Sequence, residues 1–242
     1  MTPTEQHVTI PTADGPMPAF AAAPAGAARG GIVVVQEAFG VTPHIEDIAR
    51  RLAAAGWSAV APALFHRQGS PVMAYDDFDA VMPAMGQLNA EGITMDVAAA
   101  MHHLAAAGFA PDRTGAVGFC MGGSVTLHAA ATQPFGAAVT YYGGGLTEGR
   151  FGFPPLLELA PALQTPWLGL FGDRDQGIPV EAVEELRTAT AQASAPSEIV
   201  RYADADHGFN CNDRPNAFNA EAAADAWERT LGWFDRYLVK AD

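Results

Sequence analysis

Short apolar runs alternate with segments of helical periodicity along most of this chain. The run Ile32-Val33-Val34-Val35 contains only β-branched residues, which is typical of a strand buried on both faces of a parallel sheet. The segment Pro43 to Ala55 carries apolar residues at helical spacing, and Trp57 to Ala61 has the composition of a second strand. A strand, a helix and a strand in this order predict a right-handed crossover. The alternation therefore predicts a three-layer α/β domain with a mostly parallel sheet.

The same alternation continues to the end of the chain. Further strands are predicted at Thr114 to Phe119, Gly136 to Tyr142, Trp167 to Phe171 and Glu198 to Tyr202. Further helices are predicted at Gly92 to Ala107, Met121 to Thr132, Val180 to Gln192 and Asn216 to Leu238. No repeat or linker interrupts the pattern, so residues 1–242 are expected to form one domain.

Two segments depart from this pattern. Val8 to Ala22 alternates weakly between apolar and polar residues, which favours an antiparallel hairpin at the sheet edge. Arg67 to Asn89 is rich in Asp, Met and Pro and follows the carboxyl end of a strand, where open α/β sheets bind ligands. We expect it either to line or cover a pocket or to form a solvated irregular connection.

The charge balance and the cysteine count exclude several classes of protein. Thirteen Lys and Arg against 27 Asp and Glu give a net charge of −14, which repels polyanions unless basic residues cluster. They do not cluster, so no nucleic-acid partner is expected.

No stretch reaches the ~18 apolar residues of a membrane span, and Met1 to Pro11 lacks the features of a signal peptide. With only Cys120 and Cys211, the thiols are expected to be free and the protein cytoplasmic.

The segment Gly118-Phe119-Cys120-Met121-Gly122-Gly123 joins a predicted strand to a predicted helix. This is the context of a G-x-S-x-G nucleophile elbow, with cysteine in place of serine. Small residues two positions either side of the nucleophile leave room for a strained turn, and Gly118 and Gly122 meet that need. A helix N-terminus also favours a thiolate over a thiol. Cys120 is therefore the candidate nucleophile, and the alternative is a small buried side chain.

Such a nucleophile needs a base and an acid that orients the base, in the chain order nucleophile, acid, histidine. His207 follows one predicted strand, and Asp173 and Asp175 both follow another. Either aspartate suits the role of the acid, and the other would then cap the helix that comes next. The histidines that compete with His207 for the role of the base are His44, His66, His103 and His128.

Further polar groups are expected at the same edge of the sheet. Glu37 stands at the carboxyl end of the first buried strand, where a merely solvated carboxylate is unusual. The backbone N–H of Met121 would point at a developing oxyanion. Tyr142 ends the strand after the elbow helix and is expected either to reach the pocket or to pack in the core.

Together these residues resemble the dienelactone hydrolase family of α/β hydrolases, and the resemblance runs from Ile10 to Leu238. The segments that carry it are Val35 to Gly40, Gly118 to Gly123, Gly172 to Pro179, His207 to Phe209, and Arg214-Pro215 with Ala222 to Trp227. The resemblance implies a catalytic triad of Cys120, Asp175 and His207. It thereby favours Asp175 over Asp173.

The resemblance also implies how the reaction runs. The N–H groups of Ala38 and Met121 would hold the oxyanion, and the thiol of Cys120 would stay neutral until an anionic substrate draws Glu37 to take its proton. The lactone would open through a thioester that water hydrolyses. The expected substrate is a small lactone or ester. No cofactor and no metal are expected, because no metal-ligand spacing, phosphate loop or dinucleotide fingerprint is present.

The chain departs from the family at the residues that bind the substrate carboxylate. Lactonases of the family hold this group with two arginines, one of them four residues beyond the histidine, where this chain has Cys211. Arg67 and Arg214 are the nearby replacements, and Arg67 and Tyr142 are our candidate substrate-binding residues. Two other functions stay open: a broader carboxylesterase or thioesterase, and a scaffold that binds a ligand without hydrolysing it.

Overall fold

The predicted β-branched run forms β3 (Gly31–Val35), a strand whose five residues are all buried. It belongs to an eight-stranded sheet in the computed structural model, which describes residues 3–238. The other strands are β1 (Thr4–Thr12), β2 (Gly15–Ala23), β4 (Ser58–Pro62), β5 (Thr114–Phe119), β6 (Ala137–Tyr141), β7 (Trp167–Gly172) and β8 (Ser197–Tyr202). The helices are α1 (Pro43–Ala54), α2 (Phe78–Gly86), α3 (Ala90–Ala106), α4 (Met121–Thr132), α5 (Leu156–Leu159), α6 (Val180–Thr190) and α7 (Ala220–Leu238).

The strand order is β1-β2-β4-β3-β5-β6-β7-β8. β1 and β2 form an antiparallel hairpin that pairs with β4, and every pairing from β4 to β8 is parallel. The carboxyl ends of β3 and of β5 to β8 therefore meet at one edge of the sheet. That edge is where open α/β sheets bind their ligands.

Alternate residues of β3 pack on opposite faces of the sheet, as the pleat of a strand requires. Ile32 and Val34 contribute to a core that includes side chains of α1 and α7. Val33 and Val35 contribute to a second core that includes side chains of α3. The three-layer α/β architecture predicted from the sequence is therefore confirmed, and the sheet holds the site residues between two layers of helices.

The hairpin predicted within Val8 to Ala22 is confirmed and is longer than expected. Of the two alternatives for Arg67 to Asn89, the prediction of an irregular connection is wrong in part, because the segment contains α2. Asp77 caps that helix by accepting a hydrogen bond from the Ala80 N–H at 3.1 Å, a start signal that the interpretation of this segment overlooked. No helix within residues 3–238 has both the length and the hydropathy needed to cross a membrane.

The start of α4 lies directly against the end of β3. A Cβ atom on Gly122 would overlap the carbonyl oxygens of Val35 and Gln36. A Cβ atom on Gly118 would overlap the carbonyl oxygen of Gly122. Glycine at these two positions therefore brings residue 120 next to the loop that follows β3, because no side chain keeps the backbones apart.

We predict that Gly122→Ala destabilises the protein by at least about 1–3 kcal/mol, because the new methyl group cannot fit without moving β3 or α4. Urea denaturation monitored by circular dichroism measures this change. Gly232→Ala is the matched control: an added Cβ there meets nothing within 4 Å, so alanine should stabilise α7 by about 0.5–1 kcal/mol. Equal stability of Gly122→Ala and the wild type would contradict the close approach.

Candidate active site

Five side chains predicted from the sequence follow the carboxyl ends of five different strands. Glu37 follows β3, Cys120 follows β5, Tyr142 follows β6, Asp175 follows β7 and His207 follows β8. The strands are neighbours or near neighbours in the sheet. The topology therefore gathers these side chains at one edge although up to 170 residues separate them in the chain.

Cys120 occupies a strained turn between β5 and α4. Its φ of 55° and ψ of −117° lie in a region that residues other than glycine rarely adopt. The Cys120 N–H donates to the carbonyl oxygen of Tyr141 at 3.1 Å, and its own carbonyl oxygen accepts from Gly123 at 3.0 Å. These bonds hold the turn, and the residue stays partly exposed and free of any disulfide.

His207 and Asp175 form a hydrogen-bonded pair. His207 Nδ1 lies 2.6 Å from Asp175 Oδ2, and the other carboxylate oxygen accepts the Gly177 N–H at 2.8 Å. The competing aspartate, Asp173, instead pairs with Arg201 through two hydrogen bonds of 2.7 and 2.8 Å. The geometry therefore assigns Asp175 as the partner of the histidine.

The His207 imidazole is held in its cationic form. Burial lowers its pKa, but the negative charge of an ionised Cys120 and the hydrogen bond that Nδ1 donates to Asp175 outweigh burial and raise the pKa to about 10. The ring also packs edge-on against Tyr142, with the ring centroids 5.1 Å apart. The Tyr142 ring therefore packs against His207 at the site. Its hydroxyl forms no hydrogen bond within residues 3–238.

Glu37 is completely buried, and within residues 3–238 neither carboxylate oxygen has a hydrogen-bond partner. Burial raises its pKa from 4.5 to about 7, although Arg214 and His207 act to lower it. Gln36 holds the loop in place: its side-chain amide donates to the Glu37 carbonyl oxygen at 3.1 Å and its side-chain oxygen accepts the Leu64 N–H at 3.0 Å. Glu37 is therefore a fixed carboxyl group that changes charge near neutral pH.

The two backbone N–H groups expected to hold an oxyanion lie in the segments on either side of the β3–α4 contact. Ala38 lies in the loop after β3, and Met121 is the first residue of α4. Among the hydrogen bonds of residues 3–238, none is donated by the N–H of either residue. Unpaired donors of this kind at a helix N-terminus suit a developing oxyanion.

Comparisons with known proteins show the family of this chain. The model of the dienelactone hydrolase family matches residues 17–238. The chain belongs to this family. It is 38% identical over 237 residues to the Escherichia coli K12 protein named "Putative carboxymethylenebutenolidase", covering 96% of this chain and 81% of that one. It is 34% identical to the carboxymethylenebutenolidase of Rhodococcus opacus, covering 98% of this chain and 94% of that one.

A solved structure supports the same assignment. The crystal structure titled "Putative Dienelactone Hydrolase" from Klebsiella pneumoniae superposes with a TM-score of 0.90 at 36% identity, covering 98% of this chain and 100% of that one. The dienelactone hydrolase resemblance and the α/β-hydrolase fold are therefore confirmed. Membership of this family makes the protein a hydrolase, as the sequence predicted.

A cleft of about 600 Å³ adjoins the histidine of this family member, and it is lined by Tyr75, Asp76, Asp206, His207, Asp213, Arg214, Pro215, Asn216 and Ala217. Arg214 lies over the rings of Phe39 and Tyr75 at 5.8 and 5.7 Å. Its guanidinium forms no salt bridge within residues 3–238. A cation without an ion partner beside the histidine is suited to bind an anion.

The structure does not bring Arg67 to this cleft. Its guanidinium makes two hydrogen bonds of 2.7 and 3.0 Å to the fully buried Asp96 and one of 2.8 Å to Asp14. His66 contacts the same Asp96 at 3.1 Å. The expectation that Arg67 binds substrate is therefore corrected: its donors neutralise a buried carboxylate, which is a structural role.

Three groups around Glu37 were not predicted from the sequence. Tyr75 hydrogen-bonds to Thr42 at 3.2 Å and accepts from the Cys211 thiol at 3.3 Å. Burial and the neighbouring Glu37 raise the pKa of Cys211 to about 11, so this thiol stays protonated. His44, on α1, is buried and burial lowers its pKa to about 4. None of these groups stands in a local motif, so no spacing in the sequence reveals them.

We predict that Glu37→Gln stabilises the protein above neutral pH. The folded state binds a proton between pH 4.5 and about 7 that the unfolded state has lost, so the free energy of unfolding falls as the pH rises through this window. The variant lacks this pH dependence. The difference in unfolding free energy between the variant and the wild type should therefore shift in favour of the variant by up to about 3 kcal/mol between pH 4.5 and about pH 8. Urea denaturation across this pH range measures the gain.

Glu185→Gln on α6 is the matched control for this experiment, because it removes one exposed carboxylate without touching the site. A difference between Glu37→Gln and the wild type that does not change with pH, or that changes equally in the control, would contradict a burial-raised pKa of Glu37.

Proposed function

We propose that this protein hydrolyses a small lactone or ester that carries a carboxylate group, with Cys120 as the nucleophile, His207 as the general acid and base, and Asp175 as the group that orients it. The observation that carries the proposal is the strained Cys120 turn beside the 2.6 Å His207–Asp175 pair. The geometry supports nucleophilic catalysis because the partly exposed sulfur of Cys120 stands next to an imidazole whose cationic form stabilises a thiolate. The free thiol fits a reducing compartment, and we propose the cytoplasm.

Arg214 supports recognition of the substrate carboxylate and also links it to activation. Among the charges around Glu37, Arg214 contributes most to lowering its pKa. An anion bound to Arg214 would offset this effect, so the pKa of Glu37 would rise further above 7. In the proposed sequence Glu37 then takes the proton of the Cys120 thiol. Substrate binding itself would thereby generate the thiolate.

The proposed chemistry proceeds in two halves. The thiolate attacks the carbonyl carbon, and the N–H groups of Ala38 and Met121 hold the resulting oxyanion. The ring C–O bond breaks, the leaving oxygen takes the proton of His207, and a thioester remains. Neutral His207 then accepts a proton from water as the water attacks the thioester. The C–S bond breaks, the carboxylic acid leaves, and the thiolate regains its proton from Glu37.

One observation favours a second candidate function, a carboxylesterase for neutral esters. Asp76, Asp206 and Asp213 line the same cleft as Arg214. Three carboxylates oppose the approach of an anion unless it contacts Arg214 directly. The two candidates differ in whether a carboxylate on the substrate accelerates the reaction.

Steady-state hydrolysis of a dienelactone and of the corresponding lactone without the carboxylate tests both candidates. We expect Cys120→Ala to reduce kcat by at least about 10³-fold on both substrates. Arg214→Met should reduce kcat/KM by about 10- to 100-fold for the carboxylate-bearing lactone alone, because only this substrate loses a charged hydrogen bond. Arg67→Met is the matched control, since it removes an arginine that pairs with Asp96 outside the cleft.

Each outcome has a definite meaning once circular dichroism has shown that the variants are folded. Full activity of Cys120→Ala would overturn the thioester mechanism. Equal wild-type turnover of the two lactones would replace the carboxylate-dependent reaction with the carboxylesterase. If Arg67→Met, but not Arg214→Met, selectively lost activity on the carboxylate-bearing lactone, the substrate carboxylate would bind Arg67 and the proposed role of Arg214 would be wrong.

A further inference from the structure

A cluster of reactive side chains inside the fold shares Glu37 with the proposed catalytic centre. One carboxylate oxygen of Glu37, one ring nitrogen of His44 and the sulfur of Cys211 all lie within 4.8 Å of one another. The three residues come from the loop after β3, from α1 and from the segment after His207. They are 0%, 2% and 0% exposed, so the cluster is enclosed by the fold.

The cluster contains polar atoms that the protein leaves unsatisfied. Within residues 3–238, no hydrogen bond of normal length and angle reaches either oxygen of Glu37 or either nitrogen of His44. The Tyr75 hydroxyl and the Asn212 side chain lie close enough to affect the pKa values of these two groups. Cys211 donates to the Tyr75 hydroxyl at 3.3 Å. Buried polar atoms without partners each cost free energy, and here two such side chains converge on a sulfur. Atoms arranged in this way indicate a ligand that accepts several lone pairs at once.

We propose that Glu37, His44 and Cys211 bind a divalent transition metal ion of the Zn²⁺ type. A carboxylate oxygen, an imidazole nitrogen and a thiolate are all ligands of Zn²⁺ and its neighbours, and the thiolate disfavours Mg²⁺ and Ca²⁺. Bonds of about 2.0–2.3 Å in a tetrahedral site place the ligand atoms roughly 3.5 Å apart. Side-chain movements of about 1 Å therefore convert the present cluster into a site with three protein ligands.

Binding removes the proton of the Cys211 thiol and the proton of any Glu37 carboxyl group that is still protonated. The S–H bond of Cys211 breaks, its proton passes to solvent, and a sulfur–metal bond forms. The Tyr75 hydroxyl, now beside a thiolate, can donate its own proton to that sulfur. No electron is transferred, and the carboxylate and imidazole coordinate through existing lone pairs.

A metal at this position would inhibit hydrolysis. Coordination holds Glu37 as an anion, so the group can no longer accept a proton from Cys120. This inhibitory effect rests on the proposed function, whereas metal binding itself does not. The cluster would thus let a Zn²⁺-type ion stop the enzyme without touching the nucleophile.

Titration of the purified protein with Co²⁺ under anaerobic conditions tests the binding directly. Sulfur-to-cobalt charge transfer produces a near-ultraviolet band, and the intensity of the visible bands reports tetrahedral coordination. We expect both signals in the wild type and in Cys120→Ser, and we expect both to be lost in Cys211→Ser. His44→Phe is a second variant, because a phenyl ring preserves the edge-on packing of His44 on Phe119 and removes the nitrogen ligand. It should weaken binding by more than about tenfold.

Competition between the protein and a chromogenic chelator gives the Zn²⁺ affinity of the same four proteins, and thermal denaturation shows that each is folded. If Cys120→Ser lost the charge-transfer band and Cys211→Ser retained it, the metal would bind the thiol of Cys120. This result would overturn the proposal. Absence of any band in the folded wild type would overturn it as well. Zn²⁺ binding to Cys120→Ser is measured without activity, so the metal site can fail or stand independently of the hydrolase mechanism.

Discussion

The close approach of α4 to the ends of β3 and β5 is the constraint on which the site depends. Backbone atoms of Val35 and Gln36 occupy the space that a side chain at position 122 would need. This approach places the strained turn of Cys120 beside the loop that carries Glu37 and Ala38. The thiol of Cys120 and the loop with the buried Glu37 carboxyl group are then neighbours because two backbones are in contact.

Burial of Glu37 is the second consequence of that contact. Burial raises the pKa of this carboxyl group to about 7, so its charge depends on small changes in nearby fields. Arg214 and His207 both lower that pKa. A substrate anion bound to Arg214 therefore acts on Glu37 through its electrostatic field, whereas the proposed metal ion would act on Glu37 by direct coordination. The proposed activation and the proposed inhibition use the same physical property in opposite directions.

Local sequence patterns predicted most of the architecture and most of the candidate site residues. The helix Met121–Thr132 and the strand Thr114–Phe119 lie where the sequence placed them, because their signals are short-range: periodicity, β-branching and glycine. The choice of Asp175 over Asp173 came from the family resemblance, and the structure supplies its reason in the pairing of Asp173 with Arg201. Helix α2 was overlooked because its composition resembles that of a loop, although Asp77 caps it.

The sequence by itself determined the α/β class, the strained turn at Cys120 and the family, since each depends on neighbouring residues or on an ordered set of motifs. Only the tertiary structure decided which arginine faces the cleft, because Arg67 and Arg214 are equivalent as sequence signals and differ only in their partners. It also decided that His44 and Cys211 lie beside Glu37. These residues are distant in the chain, and only the packing of α1 and of the segment after β8 against the end of β3 brings them together.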